Sequence, residues 1–258
     1  MFRRVPILVH VIRLAVRAPK DVRSRWDRYW ADSRGLGDGG DVLWDTGDTA
    51  EASRYLGLLA EHADPALPVV DLACGNGRFT RSLATRFPRV VGVDIAPHAV
   101  SLAQAEGGDF RVGDATDPAL AAALHEELGD CTVFIRGLLH TLDAGAARRV
   151  GDAASTLVGR AGVVLIAETD YRGPLLGYLE SLGAGPRGLP GPLARAVSSG
   201  IPRPHPFGDD ELAAAFPPER WERVLVDHSA TISAVPMRTE GVREAIPGHV
   251  AVLRPVHP

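Results

Sequence analysis

Cysteine is scarce: the 258-residue chain has two, Cys74 and Cys131, both inside apolar runs. That is too few for a disulfide framework and in keeping with a reducing compartment. No apolar run reaches the roughly 20 residues a membrane span requires; the best, Pro6 to Val16, is interrupted by His10 and Arg13. Arg13 also breaks the apolar segment a signal peptide needs, although Arg3 and Arg4 precede it and Ala15 and Ala18 follow. A cytoplasmic protein is expected. No internal repeat, coiled coil or zinc-type Cys/His spacing occurs, so no metal ligands are expected. The main body also lacks positive charge. Residues 1–30 hold eight Lys and Arg against two acids, a net +6, so the formal −4 of the whole leaves −10 on the remainder. A body of that sign is a poor surface for nucleic acid.

What is present divides into a cap and a core. With 45% hydrophobic residues the chain can bury one sizeable core. If helical, the N-terminal arm carries Arg3, His10, Arg13, Arg17 and Lys20 on one stripe, with Leu8, Val11, Ile12 and Ala15 on other faces. It reads as a docking helix with a solvated basic edge, or as a contact of residues 1–20 with an acidic membrane surface or another anionic group. Ser24 to Asp48 follows, with Trp26, Tyr29, Trp30 and Trp44 among Gly35, Gly37, Gly39 and Gly40. Glu51 to Ala63 has a helical pattern that ends before Pro65 and Pro68.

Five apolar runs then alternate with helical stretches: Pro68–Ala73, Arg89–Asp94, Phe110–Val112, Cys131–Ile135 and Gly162–Ala167. Such alternation implies βαβ units and a largely parallel sheet, with ligand groups at the carboxyl ends of the strands. Residues 172–206, rich in Gly and Pro, break the rhythm and read as an inserted lid. A helix at Asp209–Phe216 and strands at Arg223–Ser233 and His249–Leu253 close the chain. The expected organisation is a cap over residues 1–63 and an α/β, doubly wound, mostly parallel seven-stranded core over 64–258 that carries the lid.

The chemistry sits in Val69-Val70-Asp71-Leu72-Ala73-Cys74-Gly75-Asn76-Gly77-Arg78-Phe79: a strand, an acid, a glycine turn and a helix start. Glycine in such a turn permits positive φ and lets the backbone approach a ligand. A second acid ends the next strand at Asp94, where its oxygens can accept both hydroxyls of a ribose. A third, Asp114, follows strand three in Gly113-Asp114-Ala115-Thr116. A nicotinamide-binding domain would share the first half of this pattern. Here, however, the loop reads Gly75-x-Gly77-x-x-Thr80, without the third dinucleotide glycine.

This order and spacing resemble the motifs of class I S-adenosylmethionine-dependent methyltransferases, strongly over Val69 to Asp117 and elsewhere only in strand order. One departure is Ala73, which stands where the family loop has its first glycine. The resemblance implies a Rossmann-like fold and S-adenosylmethionine as cofactor. It implies that Asp71 lies near the methionine amino end, with Ala73, Gly75 and Gly77 against the cofactor backbone. It further implies that Asp94 holds the ribose, Ile95 packs on the adenine, and Asp114 with Ala115 meets its exocyclic amine.

Strand four ends in Phe134-Ile135-Arg136-Gly137-Leu138-Leu139-His140, placing Arg136 and His140 at the active edge. His140, whose imidazole side chain can take up a proton, is the candidate base for a hydroxyl acceptor, with packing in the following helix as the alternative. Arg136 is a candidate for an anionic acceptor or the cofactor, or a partner for a core acid. Glu168, Asp170 and Tyr171 form a further cluster on the same edge. Tyr29, Trp30, Trp44 and Tyr171, with Trp26, are candidate pocket aromatics. Family members that methylate nucleobase or glutamine amides resemble one another in an Asn/Asp-Pro-Pro-aromatic tetrad after strand four; Arg136-Gly137-Leu138-Leu139 stands here instead. A small organic acceptor is therefore expected, methylated on O, N or C. The alternative is a protein that binds S-adenosylmethionine to hold or cyclise a substrate without methyl transfer. The sequence leaves the oligomeric state open.

Overall fold

The computed structural model describes residues 4–16, 18–37 and 39–256. Three helices come first: α1 (Arg4–Ala15), α2 (Val22–Ala31) and α3 (Thr49–His62). Asp21 caps α2 by accepting from the Ser24 N–H, and Asp48 caps α3 through Ala50 and Glu51. The alternating core follows as β1 (Val69–Leu72), α4 (Arg78–Leu83), β2 (Val90–Asp94), α5 (Pro97–Ala105), β3 (Asp109–Val112), α6 (Pro118–Leu128) and β4 (Thr132–Arg136). It continues through α7 (Ala144–Val158) and β5 (Val164–Thr169) into α8 (Leu175–Ser181) and α9 (Gly191–Ser199). The chain closes with α10 (Asp209–Ala215), β6 (Trp221–Asp227), β7 (Thr231–Thr239) and β8 (Val242–Pro255).

The sheet runs β3-β2-β1-β4-β5-β8-β6. The first five strands are parallel, and β8 lies antiparallel between β5 and β6. Seven strands form this path, and an eighth, β7, pairs with the first half of β8. The single strand expected over Arg223–Ser233 is thus two. Asp227 accepts from both the N–H and the hydroxyl of Ser229, at 2.8 and 2.7 Å, and this Asx-type turn ends β6.

Strands β1, β2 and β5 are buried along their whole length, as parallel strands covered on both faces must be. Alternate side chains feed two cores. Val70, Leu72, Val133 and Ile135 pack under α6, α7 and α10; Val69, Phe134 and Leu165 pack under α3 and α4.

Residues 4–48 and 172–206 share smaller cores. Ile7 of α1 packs with Tyr178, Leu179 and Leu193 of the insertion. Tyr29 and Val42 pack with Ala196. The Arg195 guanidinium lies 4.2 Å from the Tyr29 ring centroid and donates to the carbonyls of Tyr29 and Asp41. Both cysteines are free. Among the described residues no helix is long and apolar enough to cross a membrane.

Candidate functional site

Beyond Leu72 the chain takes left-handed φ values at Ala73 (64°), Gly75 (56°) and Gly77 (75°). This tight turn brings the Gly75 N–H to Asp94 at the end of β2, whose Oδ2 accepts it at 2.8 Å while Oδ1 accepts from Ala96 at 2.9 Å. Burial raises the Asp94 carboxyl to about 6, against the lowering effect of those backbone donors. Asp71 of β1 accepts from the Thr80 hydroxyl at 2.5 Å. It stands at about 7, chiefly through burial and further through the nearby Asp94 charge, with the Thr80 bond opposing.

These groups line a cavity of about 500 Å³ at the carboxyl ends of the parallel strands. Of the residues singled out in the sequence, Asp71, Ala73, Gly75, Asp94, Ile95, Asp114, Ala115, Arg136, Trp30 and Trp44 are on its wall, as is Trp26. The acids arrive from β1, β2 and the turn after β3, the tryptophans from the cap.

Six others, Glu168 among them, lie off the wall. Gly77 caps α4, and a Cβ there would fall 2.3 Å from Cζ of Phe110, so its bare backbone serves packing against β3. Tyr29 is fully buried with its oxygen accepting from the Leu43 N–H at 2.7 Å; burial raises its phenol to about 12. Asp170 pairs with Arg172 at 2.8 Å, and Tyr171 packs on Tyr178 with ring centroids 5.3 Å apart.

His140 is the fifth. It is buried, with Nδ1 2.5 Å from Glu168 Oε2, while Glu168 Oε1 accepts from the N–H groups of Leu138 and Leu139. His140 and Glu168 thereby pin the loop after β4 from behind. Gly137 and Leu138 of that loop face the cavity and His140 does not.

Arg136 is on the wall but engaged: Nε donates to Glu51 Oε1 at 2.7 Å, and the guanidinium lies 4.5 Å from the Phe79 ring centroid. Its Nη2 and the Trp44 Nε1 are buried without a hydrogen-bond partner.

Sequence reasoning missed Asp45, a buried cap residue on the wall. Its Oδ1 accepts from Arg78 Nε at 2.7 Å, and its Oδ2 from Asn76 Nδ2 at 2.8 Å and the Gly37 N–H at 2.9 Å. It ties cap to glycine turn across 31 and 33 residues, a separation no local pattern reveals. Asp143 and Arg149 near the start of α7 and Pro202 of the insertion also line the cavity unannounced.

A family model described as "Methyltransferase domain" matches residues 69–162, the stretch from β1 to the turn before β5. A solved S-adenosylmethionine-dependent methyltransferase from Anabaena variabilis is 26% identical, with a TM-score of 0.80 over 93% of this chain and 97% of that one. A structure solved for the conversion of a disulfide bond into a thioacetal group during echinomycin biosynthesis shares the fold at 22% identity. Its TM-score is 0.61, over 83% of this chain and 84% of that one. Among curated proteins, the "Probable cobalt-precorrin-6B C(15)-methyltransferase (decarboxylating)" of Methanobrevibacter smithii is 35% identical over 68 residues, which cover 26% of this chain and 36% of that protein. This chain thus spans about a third of that curated relative. Residues 69–162 thus match a methyltransferase domain model, and the chain shares the Rossmann-like fold of the Anabaena variabilis S-adenosylmethionine-dependent methyltransferase.

Proposed function

We propose that the protein transfers a methyl group from S-adenosylmethionine to a small, partly apolar organic acceptor. One observation carries the reading: the glycine turn is tied through the Gly75 N–H to Asp94 on the wall of a cavity roofed by Trp26, Trp30 and Trp44.

The residues present fit the cofactor. The two Asp94 oxygens accept backbone N–H groups from Gly75 and Ala96, with Ile95 a further backbone donor, and keep lone-pair capacity for a ribose hydroxyl. Trp44 Nε1 and Arg136 Nη2 are buried donors on the wall that call for acceptors. Asp71 would hold the methionine ammonium, Ala73 and Gly75 would offer backbone, Ile95 would pack on the adenine, and Asp114 with Ala115 would meet its amine, all of them on the cavity wall. Gly77 acts at one remove, by packing on Phe110.

When bound, S-adenosylmethionine supplies an electrophilic methyl on a sulfonium. The chain's contribution is alignment of the acceptor for in-line attack and exclusion of water by the indole roof. His140 acts from behind the wall, holding with Glu168 the Gly137–Leu138 backbone in place. A small acceptor agrees with the enclosed volume and with the cobalt-precorrin relative, whose name specifies a small-molecule acceptor.

Calorimetry with S-adenosylhomocysteine tests the reading. Binding is expected, and Asp94→Ala should weaken it about tenfold or more. Absence of binding to the native protein would overturn the assignment. A transformed substrate without a gain of one methyl in mass would favour the holding or cyclising alternative.

We also infer that α1 rests on an anionic bilayer surface. Val5, Leu8, Val9, Ile12 and Val16, between 40% and 77% exposed, form one stripe at helical spacing, while Ile7 and Val11 pack inward. Exposed Arg13 and Lys20 and the net +6 of residues 1–30 complement an acidic headgroup layer. Co-sedimentation with phosphatidylserine vesicles should be lost in the double variant Leu8→Glu, Ile12→Glu. Sedimentation of the native protein that is unchanged by vesicles, or a concentration-dependent dimer abolished by the same variant, would overturn this placement.

A further inference from the structure

Off the cavity wall, three residues 19 and 21 positions apart in sequence come together: Asp209 at the start of α10, His228 in the β6–β7 turn and His249 on β8. We propose that they form a binding site for a late first-row divalent cation of the zinc type, clamping these three elements together.

The argument begins with His249. It is 1% exposed, flanked by the Phe207 ring, and neither ring nitrogen makes a hydrogen bond. A buried imidazole that makes no hydrogen bond loses its water and recovers little from long contacts, so such a group calls for a ligand. Its Nε2 stands 3.4 Å from Asp209 Oδ1. That is long for a hydrogen bond but close to the edge of a tetrahedron with metal–ligand bonds near 2.0–2.1 Å, about 3.4 Å.

The other side has similar spacing. His228 Nε2 lies 3.7 Å from Asp209 Oδ2, the two imidazoles are tilted at 53° with centroids 5.1 Å apart, and all three ligand atoms lie within 4.8 Å of one another.

The donor set selects the ion. Two imidazoles and one carboxylate suit Zn²⁺, Co²⁺ or Ni²⁺, whereas Mg²⁺ and Ca²⁺ seek all-oxygen shells. Three protein ligands leave the solvent side for water, since the Asp209 and His228 side chains are 49% and 61% exposed. Arg223 donates to Asp209 Oδ1 at 3.1 Å and to its carbonyl at 3.0 Å, fixing the carboxylate with Oδ1 toward His249 and Oδ2 toward His228.

The full-length protein, stripped with a chelator and dialysed, is titrated with Zn²⁺ and, in parallel, with Co²⁺. The expected result is one equivalent of Zn²⁺ per chain, a raised Tm, and the visible absorption of four-coordinate Co²⁺. His228→Ala, at an exposed position, should leave the Tm in chelator unchanged, weaken Zn²⁺ binding about tenfold or more and remove the metal-dependent rise. Binding of S-adenosylhomocysteine should be unaffected by His228→Ala, which separates this site from the cavity. Failure to bind one equivalent, or equal affinity in His228→Ala and the native protein, would overturn the proposal.

Discussion

The indole of Trp30 lies against the backbone of Gly75, so close that a Cβ at residue 75 would fall 2.7 Å from Cζ2. The cap thus closes directly on the glycine turn. Gly75→Ala combines this collision with a φ of 56° that disfavours a side chain, and should lose about 1–3 kcal/mol of stability in urea unfolding. Adding Trp30→Ala should recover the collision part alone, giving a coupling of about 0.5 kcal/mol or more between the two sites. Strict additivity would show that the indole yields freely.

Ala73 carries the opposite mismatch, a side chain where φ is 64°. Ala73→Gly should raise the unfolding free energy by about 0.5–1 kcal/mol, because relief of left-handed strain exceeds the added entropy of the unfolded chain. Chemical denaturation of the two proteins side by side would measure it, and a loss of stability would contradict the strained turn.

Arg136 and Glu51 form a buried ion pair, their side chains 8% and 4% exposed, with the Tyr55 hydroxyl donating to the same Glu51 oxygen at 2.6 Å. Removing one partner leaves an uncompensated charge, so Glu51→Gln is expected to cost about 3 kcal/mol. Replacing both, as Glu51→Gln with Arg136→Met, should cost less than the two single losses together. Equilibrium unfolding of the four proteins completes the cycle.

Asp71 makes stability depend on pH. Its carboxyl stands at about 7 in the folded protein against the ordinary 3.8, so between those values the folded state holds a proton the unfolded chain has released. Stability should therefore be fullest below the ordinary value and fall as pH rises through the window toward 7. Asp94, at about 6, adds a decline of the same sign over a narrower range. Asp71→Asn should flatten the slope in urea melts taken across this window, and an unchanged slope would place its origin elsewhere.

If Asp71 meets the methionine ammonium, ligand binding must draw its carboxyl down and expel protons near neutral pH. Calorimetry with S-adenosylhomocysteine in buffers of different ionisation enthalpy should register proton release, and Asp71→Asn should diminish it. Equal heats across the buffers would argue against that contact.

Much of the fold was legible because its signals are local. Val69–Leu72 and Val90–Asp94 are short apolar runs closed by acids and turns, and they became β1 and β2 with Asp94 at the strand end. The close of the chain was less legible. Arg223–Ser233 is apolar enough for one strand, yet the Asp227–Ser229 turn folds it into two, and no periodicity announces that break. His140 illustrates the limit for sites: its position after β4 suggested catalysis, but the buried Glu168 one strand over draws its ring behind the cavity wall.

The sequence by itself determined the succession of strands and helices along the chain and the glycine turn that Asp94 holds, since hydrophobic alternation and backbone freedom act between near neighbours. Only the tertiary structure decided which side chains share a wall. Asp45 reaching Arg78, Arg136 meeting Glu51, and Asp209, His228 and His249 converging at one edge all depend on the packing of elements far apart along the chain. Contacts of that kind are set by where whole helices and strands come to rest, and no residue carries that information alone.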